Sequence, residues 1–409
     1  MNRKVAITGI GTINGVGLNA PATWEGLMSG KLGISELDPS ITEQTGVKYA
    51  GVVSDYNASE YFDRKQIRRL DLTSQYAIIA SREAAADAGL DQITDRTRIG
   101  VNVTSGIGGI NTIEDNILKA GSKGFGKISP MFIPGSIVNL VAGNVAIDLD
   151  CKGICVPPVT ACASSTDGIG HAAMYIANGL VDVMVTGGSE AATNRTGLAG
   201  FQNMGALTSA DSLESACIPF SSERSGFVMG EGAASLVLED YEHAKARGAK
   251  IYGFVEGYSA TCDANHITAP DSEAAMGLLA AQNAINLAGI TPEQVGYVNC
   301  HGTSTPLNDK GEDTLLNKLY AGSQMPIVTS TKSMTGHLLG ATGALEAIAT
   351  IMSLNEGICT PTIGTKAVDP EISLNVCLNE AQPMDTEYGI SFSLGFGGHN
   401  SVIVLKKGE

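Results

Sequence analysis

The chain has 409 residues, of which 43% are hydrophobic and 17% charged, and its formal net charge at pH 7 is −16. This length is too great for one ordinary core and is typical of two similar domains packed together. The acidic balance, without any basic stripe that carries interleaved aromatic residues, argues against a nucleic-acid-binding protein. No apolar run is long enough to span a membrane and the N-terminal run is too short for a signal peptide, so we expect a cytoplasmic protein with no membrane contact.

Short β-branched runs alternate with alanine-rich stretches along the chain. In chain order, the pattern predicts strands over 4–8, 98–104, 154–160, 181–186, 251–255, 295–299 and 327–330, and helices over 72–89, 163–179, 241–248 and 274–288. Such alternation is typical of α/β layers around a mostly parallel sheet.

A faint internal repeat divides the chain into residues 1–250 and 251–409. In the first half, Cys162 opens a helix of small residues, and in the second half a Gly/Ala-rich stretch follows His337. Helices built from small residues permit close packing. We therefore expect two similar halves whose two small-residue helices lie back to back in a central layer.

Cys162 lies between a short apolar run and a run of small residues. A cysteine at the start of a helix feels the positive end of the helix dipole, which favours the thiolate, and small neighbours leave room for a substrate. A thiolate is a strong nucleophile and a good leaving group. The alternative is the small buried hydrophobe that most cysteines are.

Two histidines occur downstream in glycine-punctuated segments. His301 directly follows the apolar run 295–300, and His337 follows Gly336. Histidines can polarise or deprotonate what a nucleophile holds, so with Cys162 they describe a covalent acyl-transfer site. The alternative for each is an ordinary loop histidine whose hydrogen bonds are satisfied locally.

Lys332 follows the predicted strand 327–330 among small hydroxyl residues. It is either an exposed, solvated amine or a buried and paired one. Glu346, on the helix that follows, is its nearest candidate partner in sequence. Such a pair would hold the lysine charged and oriented rather than make it a base.

The glycine-rich segments are ambiguous by themselves. Residues 105–109 match no full dinucleotide-binding fingerprint, and residues 121–128 lack the Ser or Thr that a phosphate-binding loop requires. Residues 393–400 predict a tight turn whose free N–H groups could stabilise an oxyanion, or a plain hairpin turn before a final strand.

In this order and spacing, the motifs resemble those of the β-ketoacyl-[acyl carrier protein] synthases, most closely the type II elongating enzymes. The resemblance extends almost from end to end and rests on the segments 5–11, 129–134, 160–162, 226–232, 301–306, 330–337 and 395–398. It implies the thiolase fold, a five-layered αβαβα sandwich of two α/β halves, usually in a homodimer. A heterodimer with a related ketosynthase-like subunit is the other possible assembly.

The resemblance also implies a role for each candidate residue. Cys162 takes the acyl chain as a thioester, His301 and His337 assist decarboxylation of malonyl-carrier protein, and Lys332 is structural and electrostatic. The backbone N–H groups of Cys162 and Phe396 form an oxyanion hole. The remaining assignments are to substrate binding: the phosphopantetheine arm is held by Thr303 and Thr305, and the acyl pocket is gated by Ile107 and Phe396.

No metal and no tightly bound cofactor is implied, because phosphopantetheine arrives on the acyl carrier protein. The family's docking surface for that acidic partner matches a basic segment and one further lysine; the residues concerned are Lys65, Arg68, Arg69 and Lys127. The alternative for the basic segment is a solvated helix start.

Three other functions compete with elongation in fatty-acid synthesis. The first is a specialised polyketide or polyene pathway, which the Ala163-Ser164-Ser165 after the nucleophile keeps open. The second is a non-catalytic partner subunit that sets chain length, which the presence of Cys162, His301 and His337 disfavours. The third is a coenzyme A-dependent thiolase or initiating synthase, which the second histidine disfavours.

Overall fold

The computed structural model describes residues 3–408. The strands are β1 (Val5–Asn14), β2 (Ser35–Glu36), β3 (Tyr49–Ala50), β4 (Ile99–Thr104), β5 (Val183–Glu190), β6 (Gly232–Asp240), β7 (Gly253–Cys262), β8 (Val295–Asn299), β9 (Ile327–Thr329), β10 (Ile358–Cys359), β11 (Gln382–Pro383), β12 (Tyr388–Gly395) and β13 (His399–Lys407).

The α-helices are numbered in the same way, in chain order. They are α1 (Ala20–Ser29), α2 (Pro39–Thr45), α3 (Arg64–Ile67), α4 (Leu72–Asp87), α5 (Ile110–Lys123), α6 (Phe132–Ser136), α7 (Leu140–Asp148), α8 (Ser164–Ala177), α9 (Arg195–Asn203), α10 (Tyr241–Ala246), α11 (Ala275–Leu287), α12 (Pro306–Leu319), α13 (Lys332–Thr335) and α14 (Thr342–Glu356). The four predicted helices are confirmed as α4, α8, α10 and α11.

Nine strands form one hydrogen-bonded sheet in the order β4-β5-β6-β1-β7-β13-β12-β8-β9. Only the pairs β4–β5, β12–β8 and β8–β9 are parallel, so the expectation of a mostly parallel sheet is wrong. Strands β1 and β7 share just two residue pairs, Ala6 with Phe254 and Ile7 with Gly253. That short seam joins a four-stranded sub-sheet, β4-β5-β6-β1, to a five-stranded one, β7-β13-β12-β8-β9, and in both the parallel pairs lie on the side away from the seam.

The layers follow from which helices cover which sub-sheet. Helices α4 and α7 cover the outer face of β4-β5-β6-β1, and α11, backed by α12, covers the outer face of the other sub-sheet. Helices α8 and α14 contact each other and strands of both sub-sheets. The central layer predicted from the internal repeat is therefore confirmed, and the architecture is the five-layered thiolase fold.

Small residues allow these layers to approach closely. A Cβ on Gly343 of α14 would lie 2.0 Å from the hydroxyl oxygen of Thr166 on α8, and one on Gly170 of α8 would lie 2.2 Å from the ring of Tyr258. The hydroxyl of Ser165 accepts a 3.0 Å hydrogen bond from the N–H of Ala344. A larger side chain at Gly343 would push the central helices apart, and one at Gly170 would push α8 away from β7.

The two halves repeat one local device. A short 3₁₀ turn over Ala161–Ala163 leads into α8, and a similar turn over Leu339–Ala341 leads into α14. The first residue of each turn has a left-handed backbone, with φ of 52° at Ala161 and 48° at Leu339. By this correspondence Gly340 occupies in the second half the position that Cys162 occupies in the first.

The predicted strand over 154–160 is not present. Cys155 forms a single parallel bridge with Val101 of β4, and the chain then runs without regular structure to the turn at Ala161. Pro157 and Pro158 have no N–H to donate, so a ladder cannot continue along this segment.

The hydrophobic core is divided among the layers. The largest clusters of buried side chains lie around α8 and α14, between α4 and its sub-sheet, and between α11 and its sub-sheet. Within residues 3–408, no helix has both the length and the apolar character needed to cross a membrane.

Candidate active site

Cys162 lies in the tight turn that opens α8. Ala161 has a left-handed φ of 52°, which a residue other than glycine adopts only where its surroundings enforce it. The hydroxyl of Ser164 secures the turn, because it accepts from the N–H of Thr160 at 2.8 Å and donates to the carbonyl of Ala161 at 2.7 Å. Cys162 is thereby held at the floor of a cavity with only 8% of its surface exposed.

His301 begins the loop after β8, and a buried carboxylate fixes its backbone. The two oxygens of Glu312 on α12 accept hydrogen bonds of 2.6 Å from the N–H groups of His301 and Gly302. Both Glu312 and His301 are buried. Because these two hydrogen bonds fix the backbone of His301, the orientation of its imidazole is restricted.

His337 comes from the other half of the repeat, directly after α13. Its Nδ1 lies 2.9 Å from the hydroxyl of Thr342 at the start of α14, and its ring meets that of Phe227 edge-on at 5.3 Å. When the hydroxyl donates to Nδ1, the ring proton resides on Nε2.

The fold brings the three predicted reactive side chains together. The Sγ of Cys162 and one ring nitrogen from each of His301 and His337 lie within 4.8 Å of one another. The two imidazole rings are nearly perpendicular, at 87°, with centroids 5.1 Å apart. One sulfur thus faces two potential hydrogen-bond donors in a space that fits a single reacting group.

Both imidazoles are neutral at ordinary pH. Burial lowers the pKa of His301 and of His337 well below the usual value, and the positive charge of Lys332 lowers both further. A neutral imidazole can donate one hydrogen bond without bringing a second charge into the site.

The thiol of Cys162 is also neutral at ordinary pH. Burial raises its pKa to about 12, while the charge of Lys332 and the N–H groups of Phe396 and of Cys162 itself act in the opposite direction. Removal of the thiol from water thus outweighs the stabilisation of the thiolate that the sequence predicts from the start of the helix.

Lys332 does not line the cavity. It is completely buried at the start of α13, and its ammonium group donates a short hydrogen bond to Glu346 on α14. The alternative of a solvated amine is excluded, and the predicted pair with Glu346 is confirmed. The lysine acts on the site through its charge rather than through contact with a substrate.

The end of the β12–β13 hairpin packs against the nucleophile turn. Gly395 pairs with His399 across this hairpin, and a Cβ on Gly395 would lie only 3.3 Å from the amide nitrogen of Cys162. The N–H groups of Cys162 and Phe396 both stabilise the charged form of the Cys162 sulfur. The segment is thus a hairpin turn that also presents an N–H group to the reacting centre.

A cavity of about 320 Å³ leads to Cys162. Its wall includes His301, His337, Thr303, Thr305 and Phe396, and the hydroxyls of the two threonines lie 2.9 Å apart. Within the described chain, no lysine or arginine lines this cavity. His399 does line it, although sequence reasoning did not select this residue for the site.

Ile107 lies on the apolar side of the nucleophile. It is partly buried and packs in a hydrophobic cluster with Cys162, Leu198 and Leu339. Other members of this cluster include Ala192, Phe201, Phe227 and Met229. Ile107 thus lies in the apolar cluster beside Cys162, and its role as a gate to an acyl pocket stays a prediction.

The basic residues proposed from the sequence lie elsewhere. Lys65, Arg68 and Arg69 are exposed in and just after α3, and Lys127 is exposed beyond α5. Arg68 and Arg69 line a second depression, of about 510 Å³, together with Lys119. None of these side chains lines the cavity of Cys162.

The sulfur and the two imidazoles are also the ligand types that bind zinc. Two features oppose a resident cation at this position. The thiol would have to lose its proton from a pKa of about 12, and the positive charge of the buried Lys332, which acts on both histidines, would also repel a cation.

Sequence reasoning missed the groups that hold the reactive residues in place. Glu312 and Thr342 support the two histidines, and Glu190 supports the segment of Ile107. The only signal for Glu190 in the sequence is an acidic residue at the end of a continuous apolar strand, where a buried charge needs partners inside the protein.

Comparison with known proteins identifies the family. Residues 2–244 match the model described as "Beta-ketoacyl synthase, N-terminal domain", and residues 252–366 match "Beta-ketoacyl synthase, C-terminal domain". The chain is 46% identical over 411 residues to the protein named 3-oxoacyl-[acyl-carrier-protein] synthase 2 of Staphylococcus aureus strain N315, with 100% of this chain and 99% of that protein covered.

Two further matches also extend over almost the whole chain. The protein of the same name from Vibrio harveyi is 43% identical, with 99% of each chain covered. The solved structure of AntDE:AntF, a type II polyketide acyl-carrier protein in complex with its ketosynthase, aligns with a TM-score of 0.92 at 31% identity, with 100% of both chains covered. The chain therefore belongs to the β-ketoacyl synthase family.

Proposed function

We propose that this protein is a 3-oxoacyl-[acyl carrier protein] synthase of the elongating type. It catalyses decarboxylative Claisen condensation of an acyl thioester on Cys162 with malonyl-acyl carrier protein in fatty-acid synthesis. The observation that carries the proposal is the convergence of one thiol and two neutral imidazoles within 4.8 Å on the floor of one cavity. The named relatives at 43–46% identity support the same reaction.

The first half-reaction loads the enzyme. The sulfur of Cys162 attacks the carbonyl carbon of the acyl thioester on the phosphopantetheine arm, and the oxyanion that forms accepts from the N–H groups of Cys162 and Phe396. The carbon–sulfur bond to the arm then breaks. The proton of the Cys162 thiol ends on the departing thiol of the arm, which leaves the acyl group on Cys162.

The second half-reaction makes the new carbon–carbon bond. Malonyl-carrier protein loses carbon dioxide, and the enolate oxygen that develops accepts hydrogen bonds from the neutral His301 and His337. The enolate carbon attacks the acyl carbonyl, the carbon–sulfur bond to Cys162 breaks, and the departing thiolate takes a proton from solvent to restore the thiol. Lys332 orients this site electrostatically, and Thr303 and Thr305 offer hydroxyls to the amides of the arm.

Mass spectrometry after incubation with acyl-carrier protein tests the proposal. Wild-type protein should gain the mass of the acyl group on Cys162, and the Cys162→Ala variant should gain none. His301→Ala and His337→Ala should still be acylated but should release no carbon dioxide from malonyl-carrier protein. An adduct that persists in Cys162→Ala, or normal turnover by either histidine variant, would refute the assignment. Absence of any adduct on the wild type would instead favour a non-catalytic partner subunit.

A specialised polyketide or polyene pathway is the second candidate, supported by the 31% identity with the AntDE:AntF ketosynthase. The higher identity, 46%, is with a 3-oxoacyl-[acyl-carrier-protein] synthase 2 and favours fatty-acid elongation. A panel of saturated and polyunsaturated acyl-carrier proteins separates the two. Efficient condensation of saturated chains supports the fatty-acid role, and a strict requirement for conjugated chains would overturn it.

We also propose that the acidic carrier protein is attracted by Lys65, Arg68, Arg69 and Lys127. Their exposure, in a chain of formal net charge −16, supports the proposal. Arg68→Glu should raise the KM for acyl-carrier protein at low salt and should weaken its salt dependence. The control is Lys366→Glu, at an exposed lysine that lines neither cavity. An equal effect in both variants would count against docking at the basic segment.

The active assembly is proposed to be a homodimer. Of the fifteen large hydrophobic side chains exposed in the described chain, ten lie between residues 117 and 180: Ile117, Leu118, Phe125, Ile133, Ile137, Ile147, Val156, Val159, Met174 and Leu180. A concentration of this kind favours burial against another subunit. Ile147→Glu should shift the protein toward monomer in sedimentation, whereas Leu287→Glu, at an exposed leucine outside this region, should not. Unchanged sedimentation of Ile147→Glu would argue against this interface.

Residues 1–250 and 251–409 are proposed as the two structural halves, supported by the repeated turns before α8 and α14 and by the two family models.

A cytoplasmic location is proposed because a free catalytic thiol persists in a reducing compartment.

A further inference from the structure

Glu190 is a fully buried carboxylate at the end of β5 that is held by two different segments. Its Oε1 accepts from the hydroxyl of Ser105 at 2.7 Å and from the N–H of Ile107 at 3.2 Å. Its Oε2 accepts from the N–H groups of Gly106 at 2.8 Å and Gly340 at 3.0 Å. Burial raises the pKa of Glu190, and these four neutral donors oppose that rise.

The two segments close around the carboxylate with no space for side chains. A Cβ on Gly340 would lie 2.3 Å from the nitrogen of Gly106 and 2.9 Å from Oε2 of Glu190. A Cβ on Gly106 would lie 3.0 Å from the same oxygen. The contact therefore joins the loop after β4, in the first half, to the turn before α14, in the second half.

Each segment carries one apolar residue beside the nucleophile. Ile107 adjoins Gly106 and Leu339 adjoins Gly340, and both side chains pack in the cluster that includes Cys162. Leu339 has a left-handed φ of 48°, which requires enforcement by neighbours. Glu190 is the one carboxylate that bonds to the backbones of both segments in the described chain.

We propose that Glu190 is a positioning residue that fixes Ile107 and Leu339 against Cys162 and so determines which acyl chains the sulfur accepts. The inference rests on the proposed function, since it presupposes acyl transfer to Cys162. Glu190 touches neither substrate nor the reacting atoms and acts through the two apolar residues.

Two substitutions separate the position of this carboxylate from its charge. Glu190→Gln removes the charge and turns an amide N–H₂ toward N–H donors, whereas Glu190→Asp keeps the charge and withdraws it by one methylene. Glu231→Gln is the matched control, because Glu231 is another buried carboxylate that accepts from Val53 N–H and from the Tyr76 hydroxyl, each at 3.1 Å. Glu231 is hydrogen-bonded to neither segment.

The measurement is the rate of Cys162 acylation by pantetheine thioesters of two, eight and sixteen carbons, which needs neither carrier docking nor condensation. For each protein, the rate with the best chain length is divided by the rate with the worst. Both Glu190 variants should reduce this ratio by about tenfold, which is the discrimination that one methylene commonly provides in an apolar pocket. Glu231→Gln should keep the ratio. A thermal melt confirms folding, and Ser105→Ala, which removes one donor, should shift the ratio less and in the same direction.

A second readout distinguishes positioning from general structural damage. The negative charge of Glu190 adds to burial in raising the pKa of Cys162. Glu190→Gln should therefore shift the pH profile of iodoacetamide labelling of Cys162 toward lower pH, and Glu190→Asp should not. An unchanged acylation ratio in both Glu190 variants, or an equal loss in Glu231→Gln, overturns the inference alone. A wild-type protein that takes no acyl group from any thioester overturns the proposed function, and the inference falls with it.

Discussion

Lys332 and Glu346 form an ion pair in which both side chains are completely buried. The pair connects α13, which leads to His337, with α14 in the central layer. Burial raises the pKa of Glu346 to about 7, and the charge of Lys332 acts against that rise. The charge of Lys332 also lowers the pKa of both His301 and His337, so one pair affects both stability and the electrostatics of the cavity.

Replacement of Lys332 by Met should lower the free energy of unfolding by about 3–5 kcal/mol at pH 8, because it leaves a buried carboxylate unpaired. The loss should be smaller at pH 5.5. Without Lys332, the pKa of Glu346 in the folded state lies far above its value in the unfolded state. Stability is then fully present below the unfolded pKa and is lost as pH rises through the folded pKa. Urea denaturation at the two pH values measures this difference.

The control for this experiment is Lys318→Met, which breaks an exposed pair with Glu273 and should change stability by no more than about 1 kcal/mol. The double variant Lys332→Met/Glu346→Leu should recover most of the lost stability, since no buried charge remains. A single Lys332→Met variant as stable as the wild type would show that the pair contributes nothing.

The reactivity of Cys162 should increase steadily with pH. Because burial raises the thiol pKa to about 12, the thiolate fraction at pH 7 is small and grows about tenfold for each pH unit. Labelling by iodoacetamide, followed by mass spectrometry from pH 6 to pH 10, should show no plateau in this range. A plateau near pH 7 would mean that the free enzyme holds a thiolate.

Decarboxylation should not decline as pH falls through 6.5. His301 and His337 both have pKa values well below that of an ordinary histidine, so both keep a neutral ring on the acidic side of 6.5. The rate of carbon dioxide release from malonyl-carrier protein, measured between pH 5.5 and 7.5 with the acylated enzyme, tests this. A fall of about half at pH 6.5 would indicate that an ordinary histidine pKa governs the step.

Local patterns were sufficient to predict much of the fold. The helices α4, α8, α10 and α11 follow from runs of small and apolar residues, and β8 has the predicted bounds. The direction of the strands could not be obtained in this way. It depends on pairings such as β1 with β6, whose partners are more than two hundred residues apart in sequence. The strand predicted over 154–160 failed because local β-branched character does not overcome two consecutive prolines.

The reactive residues were more accessible to sequence reasoning than the groups that support them. Cys162, His301 and His337 are rare residue types at element ends, where chemistry is commonly placed. Glu190 and Glu312 are ordinary acidic residues whose importance comes from the backbone N–H groups that surround them. Glu312 gains its donors only when α12 packs against the loop after β8, and Glu190 gains the N–H of Gly340 only when the two halves pack together.

Gly395 provides a test of the oxyanion hole that leaves every reactive side chain in place. A Cβ at this position would lie 2.8 Å from the carbonyl oxygen of Thr160 and 3.3 Å from the amide nitrogen of Cys162. Gly395→Ala should therefore push the hairpin, and with it the N–H of Phe396, away from the sulfur. We expect acylation of Cys162 to slow by about a hundredfold, the usual cost of one lost oxyanion donor.

The matched control is Gly121→Ala, where an added Cβ meets no atom within 4 Å and acylation should be unchanged. Stopped-flow acylation with an acyl-pantetheine thioester, together with thermal melts of both variants, separates loss of the donor from loss of folding. If Gly395→Ala folds and acylates at the wild-type rate, the N–H of Phe396 does not stabilise the oxyanion, and the hairpin end only closes the cavity. A slowed but folded variant is the result expected if the N–H of Phe396 stabilises the oxyanion, because the added Cβ separates the end of the hairpin from the turn of Cys162.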